Sequence, residues 1–331
     1  MNKLLGYPKM LTEAKNSKPP HSQIMEILIF AILFIVCNRA SSVPLTAGIV
    51  YWLLSENREA VMSGTFQTSP QEVTALIQEM PAWLNLLSLF STGLTILFVM
   101  LYCTKVEKRT AASMGFRRGI PEYILGGAAG ILMITAATVI GMLTGAYTVR
   151  FAAPDPVLLL LFLAGFVVQG MSEEVLCRGY FLVSLSRNTP VWICVLLSSL
   201  VFAVLHLANP GICPLAFLNL FLSGLVFAVY FLKRGSILGA CAMHTFWNYY
   251  QGNIYGISVS GTGTMEGSVF SATAAENMNL WTGGAFGIEG GLCVTIVEAV
   301  TLLILLVLPP VKSEQVCELP PDHHSDTEPS L

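Results

Sequence analysis

The stretch that decides the fold is residues 156–186, PVLLLLFLAGFVVQGMSEEVLCRGYFLVSLS. It is long enough to cross a bilayer, since a membrane-spanning helix needs about 20 mostly apolar residues. Three charged residues interrupt it: Glu173, Glu174 and Arg178. Ionisable groups are costly in hydrocarbon, so those found there face the interior of a helix bundle and mark functional sites. The stretch therefore predicts an integral membrane protein built around a polar cluster.

The composition of the whole chain agrees with this interpretation. Of its 331 residues, 54% are hydrophobic and 11% are charged, and the mean hydropathy is +0.68. Soluble domains carry about 25% charged residues. The net charge of -3 gives no reason to expect nucleic acid as a partner. The eight cysteines include no C-x-x-C pair, so we interpret them as small buried hydrophobic residues.

Apolar segments predict an all-α protein with about eight transmembrane helices and a cavity inside the bundle. Their ranges are 24–55, 82–103, 122–147, 156–186, 191–207, 215–232, 237–255 and 291–308. The first is interpreted as one long span interrupted at Arg39. Residues 257–290 form a loop rich in Gly, Ser and Thr, without Lys or Arg. The predicted units are a polar tail at 1–23, a membrane domain at 24–310 and a polar, disordered tail at 311–331.

The distribution of positive charge predicts the orientation. With eight spans and a cytoplasmic N-terminus, 13 Lys and Arg residues fall on the cytoplasmic side, whereas only Arg58 and Arg150 fall outside. Cytoplasmic loops are enriched in Lys and Arg, so this asymmetry favours the arrangement. Splitting 24–55 into two spans would place the N-terminal lysines outside. Both termini are therefore predicted to be cytoplasmic.

The spacing of the charged residues in 156–186 allows both an ion pair and a general base. Glu174 and Arg178 are four residues apart, on one helix face, and can form an ion pair. Glu173 is rotated from Glu174 by about 100°, so it can face a different neighbour. Two adjacent carboxyls in a low-dielectric site do not both ionise cheaply, and Arg178 compensates for only one. The other carboxyl is then suited to act as a general base.

Two later spans each carry a further polar pair. Phe202 and His206 are four residues apart, as are His244 and Asn248. If these side chains meet a glutamate, they can activate water and hydrogen-bond to a developing oxyanion. Straight spans would leave His206 and His244 well apart in depth, so a shared site requires shifted boundaries or tilted helices.

Each feature alone has a structural explanation. An ion pair can join helices, a histidine can be a packing residue, and an asparagine can form an interhelical hydrogen bond. The joint occurrence of all three pairs, on three spans, favours a functional site.

In this order, E-E-x-x-x-R at 173–178, F-x-x-x-H at 202–206 and H-x-x-x-N at 244–248 resemble the motifs of the CAAX-protease and bacteriocin-processing family. The motif core covers 165–250, roughly a quarter of the chain. The residue before the arginine is usually aromatic or bulky in this family and is Cys177 here, a change that should affect packing. The resemblance implies a glutamate-type intramembrane endopeptidase acting on membrane-associated peptides or proteins in the lipid bilayer.

The resemblance also implies roles for the motif residues. Glu173 and His206 would activate the hydrolytic water, and His244 and Asn248 would stabilise the oxyanion. The compact chain with its short loops resembles the prokaryotic branch, which implies a multi-pass protein of a prokaryotic cell membrane.

By the same resemblance, Glu174 and Arg178 would hold this constellation in place. No metal or other cofactor is expected, because a neutral histidine and an asparagine suit an oxyanion site. Two histidines and a glutamate could also bind zinc, so a zinc-dependent protease is an alternative.

Two other classes of function stay open. A non-enzymatic immunity or scaffold protein would use the same cavity for binding. A transporter would use a relay of glutamate and histidine, but no inverted repeat or pair of broken helices is evident in the sequence.

Overall fold

The computed structural model describes residues 5–17, 21–63 and 80–312. This part of the chain is mostly helical, at 72%, as predicted, and it also contains one short antiparallel strand pair that the all-α prediction did not include. Nearly all of the predicted tail at 311–331, part of the N-terminal tail and most of the polar segment before 80 lie outside the described residues.

The described residues contain thirteen α-helices, which alternate with shorter helical turns. They are α1 Lys9–Lys15, α2 Gln23–Glu56, α3 Arg58–Met62, α4 Ala82–Ser91, α5 Gly93–Leu101, α6 Gly119–Leu143, α7 Pro156–Glu174, α8 Val183–Leu185, α9 Val191–Leu205, α10 Pro214–Arg234, α11 Ile237–Tyr249, α12 Asn279–Thr282 and α13 Leu292–Val307. Turns of π-helix cover Tyr102–Val106, Val175–Leu182 and Tyr250–Ile254. Short 3-10 turns cover Ala112–Met114, Gly284–Phe286 and Ile288–Gly290.

Within the described residues, five helical segments are long and apolar enough to cross a membrane. They are Gln23–Glu56, Ala82–Val106, Ala112–Leu143, Pro156–Leu185 and Pro214–Arg234. These segments support an integral membrane protein. The other three predicted spans contain shorter helices: α9 and α13 have 15 and 16 residues, and α11 has 13 before its π-helical turn.

The first predicted span is one continuous helix. α2 runs through 34 residues with Pro44 inside it, so the expected interruption near Arg39 is absent from the backbone. At 1.5 Å per residue it is about 50 Å long, which exceeds the hydrocarbon core of about 30 Å. It packs against α4, α5 and the π-helical turn after α7.

Small residues bring α6 and α11 into close contact, as the Gly- and Ala-rich sequence of α6 suggests. A Cβ atom on Gly126 would collide with the backbone of Gly239, and one on Gly130 would collide with the backbone of Met243. Small residues at helix interfaces allow backbones to approach in membranes, where packing drives association. This contact fixes α11, which carries two of the candidate site residues.

A buried charge cluster joins the segment after α5 to the π-helical turn and the short helix α8 that follow α7. Arg109 donates to Ser184 Oγ and to the Gly179 carbonyl, each at 2.8 Å. Arg187 donates to Glu107 Oε1 at 2.8 Å, and the side chains of both are almost fully buried. Glu107 Oε2 also lies 3.2 Å from Arg109 Nη1, so this one carboxylate pairs with both guanidinium groups and ties the segment after α5 to the residues after α7.

The described residues contain two strands that the sequence did not indicate. β1, Tyr147–Phe151, pairs antiparallel with β2, Phe270–Ala274, in a register that aligns Tyr147 with Ala274. The predicted span 122–147 therefore extends too far, because α6 ends at Leu143 and β1 begins at Tyr147. The predicted loop 257–290 contains β2 and α12. Burial raises the pKa of Tyr147, whose hydroxyl donates to the Thr282 carbonyl at 2.6 Å.

Candidate active site

Helix α7 delivers the first motif to the middle of the bundle. Asp155 caps its N-terminus, because Oδ1 accepts hydrogen bonds from the Val157 and Leu158 amides at 2.8 and 3.1 Å. The α-helix ends at Glu174 and continues as the π-helical turn Val175–Leu182. Such turns are rare and often occur at functional sites.

The ion pair predicted within the first motif is formed and buried. Arg178 Nη1 lies 2.8 Å from Glu174 Oε1, and both side chains have no exposed surface. Arg178 Nη2 also donates to the Gly224 carbonyl of α10 at 3.0 Å. The guanidinium carbon lies 4.6 Å from the ring centre of Phe202 and 5.5 Å from that of Phe227. Arg178 thus connects α7, α9 and α10.

Glu173 points away from this pair towards the two histidines. Its Oε2 atom lies 3.8 Å from His206 Nε2 and 3.9 Å from His244 Nε2. Both distances exceed that of a hydrogen bond. Oε2 is buried and has no hydrogen-bond partner among the described residues, although 29% of the Glu173 side chain is exposed. One carboxylate oxygen therefore faces both imidazole rings, while another part of the Glu173 side chain is exposed to a cavity.

His206 follows directly after α9, which ends at Leu205. This helix has 15 residues, which span about 22 Å. Both His206 and His244 lie within 4 Å of Glu173, so the depth mismatch expected for straight spans is not present. His206 Nδ1 lies 2.8 Å from the Phe202 carbonyl. Since a carbonyl only accepts, Nδ1 carries a proton and a neutral ring presents an unprotonated Nε2 to Glu173.

His244 is oriented by the buried ion pair. Its Nδ1 atom lies 3.2 Å from Glu174 Oε1, the oxygen that also accepts from Arg178. The imidazole stacks on Phe227 with ring centres 5.1 Å apart and planes inclined by 16°. Because the carboxylate accepts, Nδ1 is again the protonated nitrogen and Nε2 faces Glu173.

Asn248 joins the same network through a residue that sequence reasoning missed. Asn248 Nδ2 donates to Gln169 Oε1 at 3.0 Å, and Gln169 Nε2 donates to Glu173 Oε1 at 2.6 Å. Gln169 lies one helical turn before Glu173 in the apolar run of α7. A second polar residue at this i, i+4 spacing was a signal that could have identified it.

Two cavities meet at Glu173 and His206. We call the first, of about 180 Å³, the capped cavity, because the loop after α11 covers it; Gln169, His244 and Asn248 line it too. The second, of about 230 Å³, is the α2 cavity, whose wall includes Asn38. The cavities share five lining residues: Thr92, Glu173, Phe202, His206 and Asn209. Among the described residues that line them there is no Lys or Arg.

The loop over the capped cavity is held by a carboxylate. Glu289 Oε2 accepts from the Ser260 amide at 2.5 Å and from Gln251 Nε2 at 3.0 Å. Ser260 and Met265 line the cavity from this loop. The segment that the sequence indicated only as a loop therefore forms one wall of the candidate site.

All six predicted site residues thus occupy one region. The four predicted to be catalytic line the capped cavity, and the two predicted to support them are buried behind it. In the part of the chain that the structure describes, no group of three or more His, Cys, Asp or Glu side chains has an arrangement that could hold a metal ion.

Comparison with known proteins places these motifs in a family. The family model of type II CAAX prenyl endopeptidase Rce1-like proteins matches residues 155–250, the segment that contains the three motifs. This match confirms the predicted relationship to the CAAX-protease family. Because that family consists of proteases, the match supports a peptidase function at the level of the family. No curated protein and no solved structure matched the chain.

Proposed function

We propose that the protein is an intramembrane endopeptidase that hydrolyses peptide bonds of membrane-associated proteins or peptides. The observation that carries the proposal is the position of Glu173. Its carboxylate faces two imidazole Nε2 atoms at 3.8 and 3.9 Å, at the wall shared by two cavities. The family match over 155–250 supports the reaction class independently of this geometry.

In the proposed reaction, Glu173 acts as the general base with His206 as its partner. A water molecule in the cavity gives a proton to the carboxylate while its oxygen attacks the scissile carbonyl carbon. The proton then passes to the leaving amine nitrogen as the carbon–nitrogen bond breaks, which leaves a carboxylate and an amine as products. A carboxylate and an unprotonated Nε2 both accept, so the 3.8 Å separation suits a water molecule that donates to both groups.

His244 and Asn248 are proposed to stabilise the oxyanion. The Nδ1 proton of His244 is committed to Glu174, so His244 can donate from Nε2 only as an imidazolium. The carboxylates of Glu173 and Glu174 on either side favour that charge. Asn248 has a second N–H besides the one given to Gln169. Hydrogen-bond donors held in a site with little water stabilise a developing negative charge more strongly than the same donors do in bulk water.

Glu174 and Arg178 are proposed to support this arrangement without touching the substrate. Both are fully buried, and Glu174 holds the ring of His244. The proposed mechanism needs no metal, and the zinc-dependent alternative differs in assigning Glu173, His206 and His244 as ligands rather than as base and donors.

We further propose that residues 24–310 form one membrane domain of about eight helices, with both termini cytoplasmic, in a prokaryotic cell membrane. The asymmetry of Lys and Arg supports the orientation. The three helices too short to span alone, α9, α11 and α13, all pack against α10 or α6 within the same bundle.

The decisive experiment is hydrolysis by the purified protein in liposomes. The probes are an internally quenched peptide with a farnesylated CAAX terminus and its unprenylated counterpart. Glu173→Gln should abolish cleavage and keep the thermal unfolding temperature, whereas Glu276→Gln, at an exposed carboxylate outside both cavities, should cleave normally. Full activity of Glu173→Gln would refute the proposal. Cellular function in Glu173→Gln without any hydrolysis would favour an immunity or scaffold protein.

A further inference from the structure

The amide of Gln169 bridges two residues with different proposed roles. Its Nε2 atom donates to Glu173 Oε1 at 2.6 Å, and its Oε1 atom accepts from Asn248 Nδ2 at 3.0 Å. Glu173 lies one turn further along α7, and Asn248 lies on α11. Gln169 itself lines the capped cavity. Both ends of one side chain are thus committed to candidate catalytic groups.

We propose that Gln169 is a positioning residue that holds the general base and the oxyanion donor in fixed orientations. The inference rests on the proposed function, because it assigns Glu173 and Asn248 those roles. It extends the proposal to a residue outside the three motifs, and it states what the side chain does for each partner.

The carboxylate of Glu173 determines which group donates and which accepts in the series of hydrogen bonds from Glu173 through Gln169 to Asn248. An ionised carboxylate only accepts, so Gln169 must turn its NH2 group towards Glu173. The carbonyl of Gln169 then faces Asn248, which must in turn present its own NH2 group. Reversing the amide of Asn248 would set two carbonyl oxygens against each other. This series of hydrogen bonds therefore fixes the amide of Asn248 so that its NH2 group, and not its carbonyl oxygen, lies near the site.

The same bond orients the carboxylate. With Oε1 held by Gln169, Oε2 is the oxygen that faces His206 and His244. Without that bond the terminal torsion of a glutamate is broad, and the carboxylate can turn away from the rings. Small displacements of reacting groups cost large factors in rate, up to about 100-fold for 1 Å. Gln169 should therefore act on the rate of the chemical step more than on substrate binding.

The test compares two replacements of similar size in liposomes, with the farnesylated quenched peptide as probe. Gln169→Met removes both hydrogen bonds. Gln169→Glu places a second carboxylate next to that of Glu173. Both variants should lose about 10- to 100-fold in kcat, with KM within twofold of the wild type. The control is Tyr147→Phe, which removes one buried hydrogen bond in a strand that lines neither cavity. It should lower stability slightly and leave kcat unchanged.

A double-mutant cycle separates positioning from general packing. If Gln169 acts through Asn248, the loss in kcat of Gln169→Met with Asn248→Ala should be clearly smaller than the product of the two single losses. Multiplicative losses, or wild-type kcat in Gln169→Met, would overturn the inference. The Glu173→Gln variant distinguishes failure of this inference from failure of the proposed function. If it is inactive while Gln169→Met is fully active, only this inference fails, whereas an active Glu173→Gln removes the proposed function itself.

Discussion

Glu173 Oε2 and His206 Nε2 face each other across 3.8 Å, Glu173 near the C-terminal end of α7 and His206 directly after the C-terminus of α9. The hydrogen bond from His206 Nδ1 to the Phe202 carbonyl then turns Nε2 towards the carboxylate. One backbone contact thus orients His206 in the candidate pair.

Replacing His206 tests this pair. His206→Gln should lower kcat by about 100- to 10,000-fold, the usual range for the loss of a positioned acid–base group. Phe202→Leu removes only the neighbouring ring and should cost much less in kcat. The readout is hydrolysis of the quenched peptide in liposomes, with thermal unfolding as the check of folding. Equal losses in the two variants would contradict the role of His206.

Arg178 should be required for stability. Arg178→Met leaves Glu174 charged and fully buried without its partner, which costs about 3 to 5 kcal/mol in free energy of unfolding. Adding Glu174→Gln should recover part of that loss, because it removes the uncompensated charge. The control is Arg150→Met, at an exposed position, where the effect should stay within about 0.5 kcal/mol. Equal stability of Arg178→Met and the wild type would contradict a stabilising ion pair.

Activity should not depend on a metal ion. After exhaustive chelation the purified protein should hydrolyse the peptide at its original rate, and elemental analysis should find less than one zinc per chain. The physical reason is that Glu173 and the two histidines supply base and donors by themselves in the proposed mechanism. If activity falls with chelation and returns in proportion to added zinc, the same residues are ligands and their assigned roles are wrong.

Close packing between α6 and α11 should be sensitive to side-chain size. Gly126→Leu would push the Gly239 backbone away and should destabilise the protein by at least about 1 to 3 kcal/mol. Activity should fall as well, because α11 carries His244 and Asn248. The matched control is Ala128→Leu, on the outward side of the same helix, which should unfold like the wild type. Equal unfolding temperatures for both variants would show that the interface tolerates the added volume.

Reporter fusions test the proposed orientation in a bacterial membrane. Green fluorescent protein at the C-terminus should fluoresce, because it folds in the cytoplasm. Alkaline phosphatase inserted at Glu276, in the segment with β2, should be active, because it requires the outer side. The reverse pattern would contradict cytoplasmic termini, and it would leave the geometry of the site unchanged.

Several properties were predictable because they depend on neighbours along the chain. The apolar runs predicted membrane helices, and the spacing of Glu174 and Arg178 predicted an ion pair that the structure contains. The motifs predicted a family relationship that the match over 155–250 confirms. The catalytic roles of Glu173, His206, His244 and Asn248, the absence of a cofactor and the topology stay predictions.

Other properties depend on contacts between distant residues, which periodicity does not encode. β1 pairs with β2 more than a hundred residues later, and each strand alone is too short and exposed to be recognised. The end of α9 was misjudged by two residues, because the run of apolar side chains continues past the last helical hydrogen bond.

The sequence by itself determined that this is a helical membrane protein with a charged cluster in one span and partner motifs in two others. Only the tertiary structure decided that Glu173 faces both histidines while Glu174 turns back to Arg178, and that Gln169 connects Glu173 to Asn248. The physical reason is that hydrophobic periodicity specifies which face of a helix is buried. The neighbour that this face meets is selected by helix lengths, small-residue contacts and the polar groups that must find partners away from water.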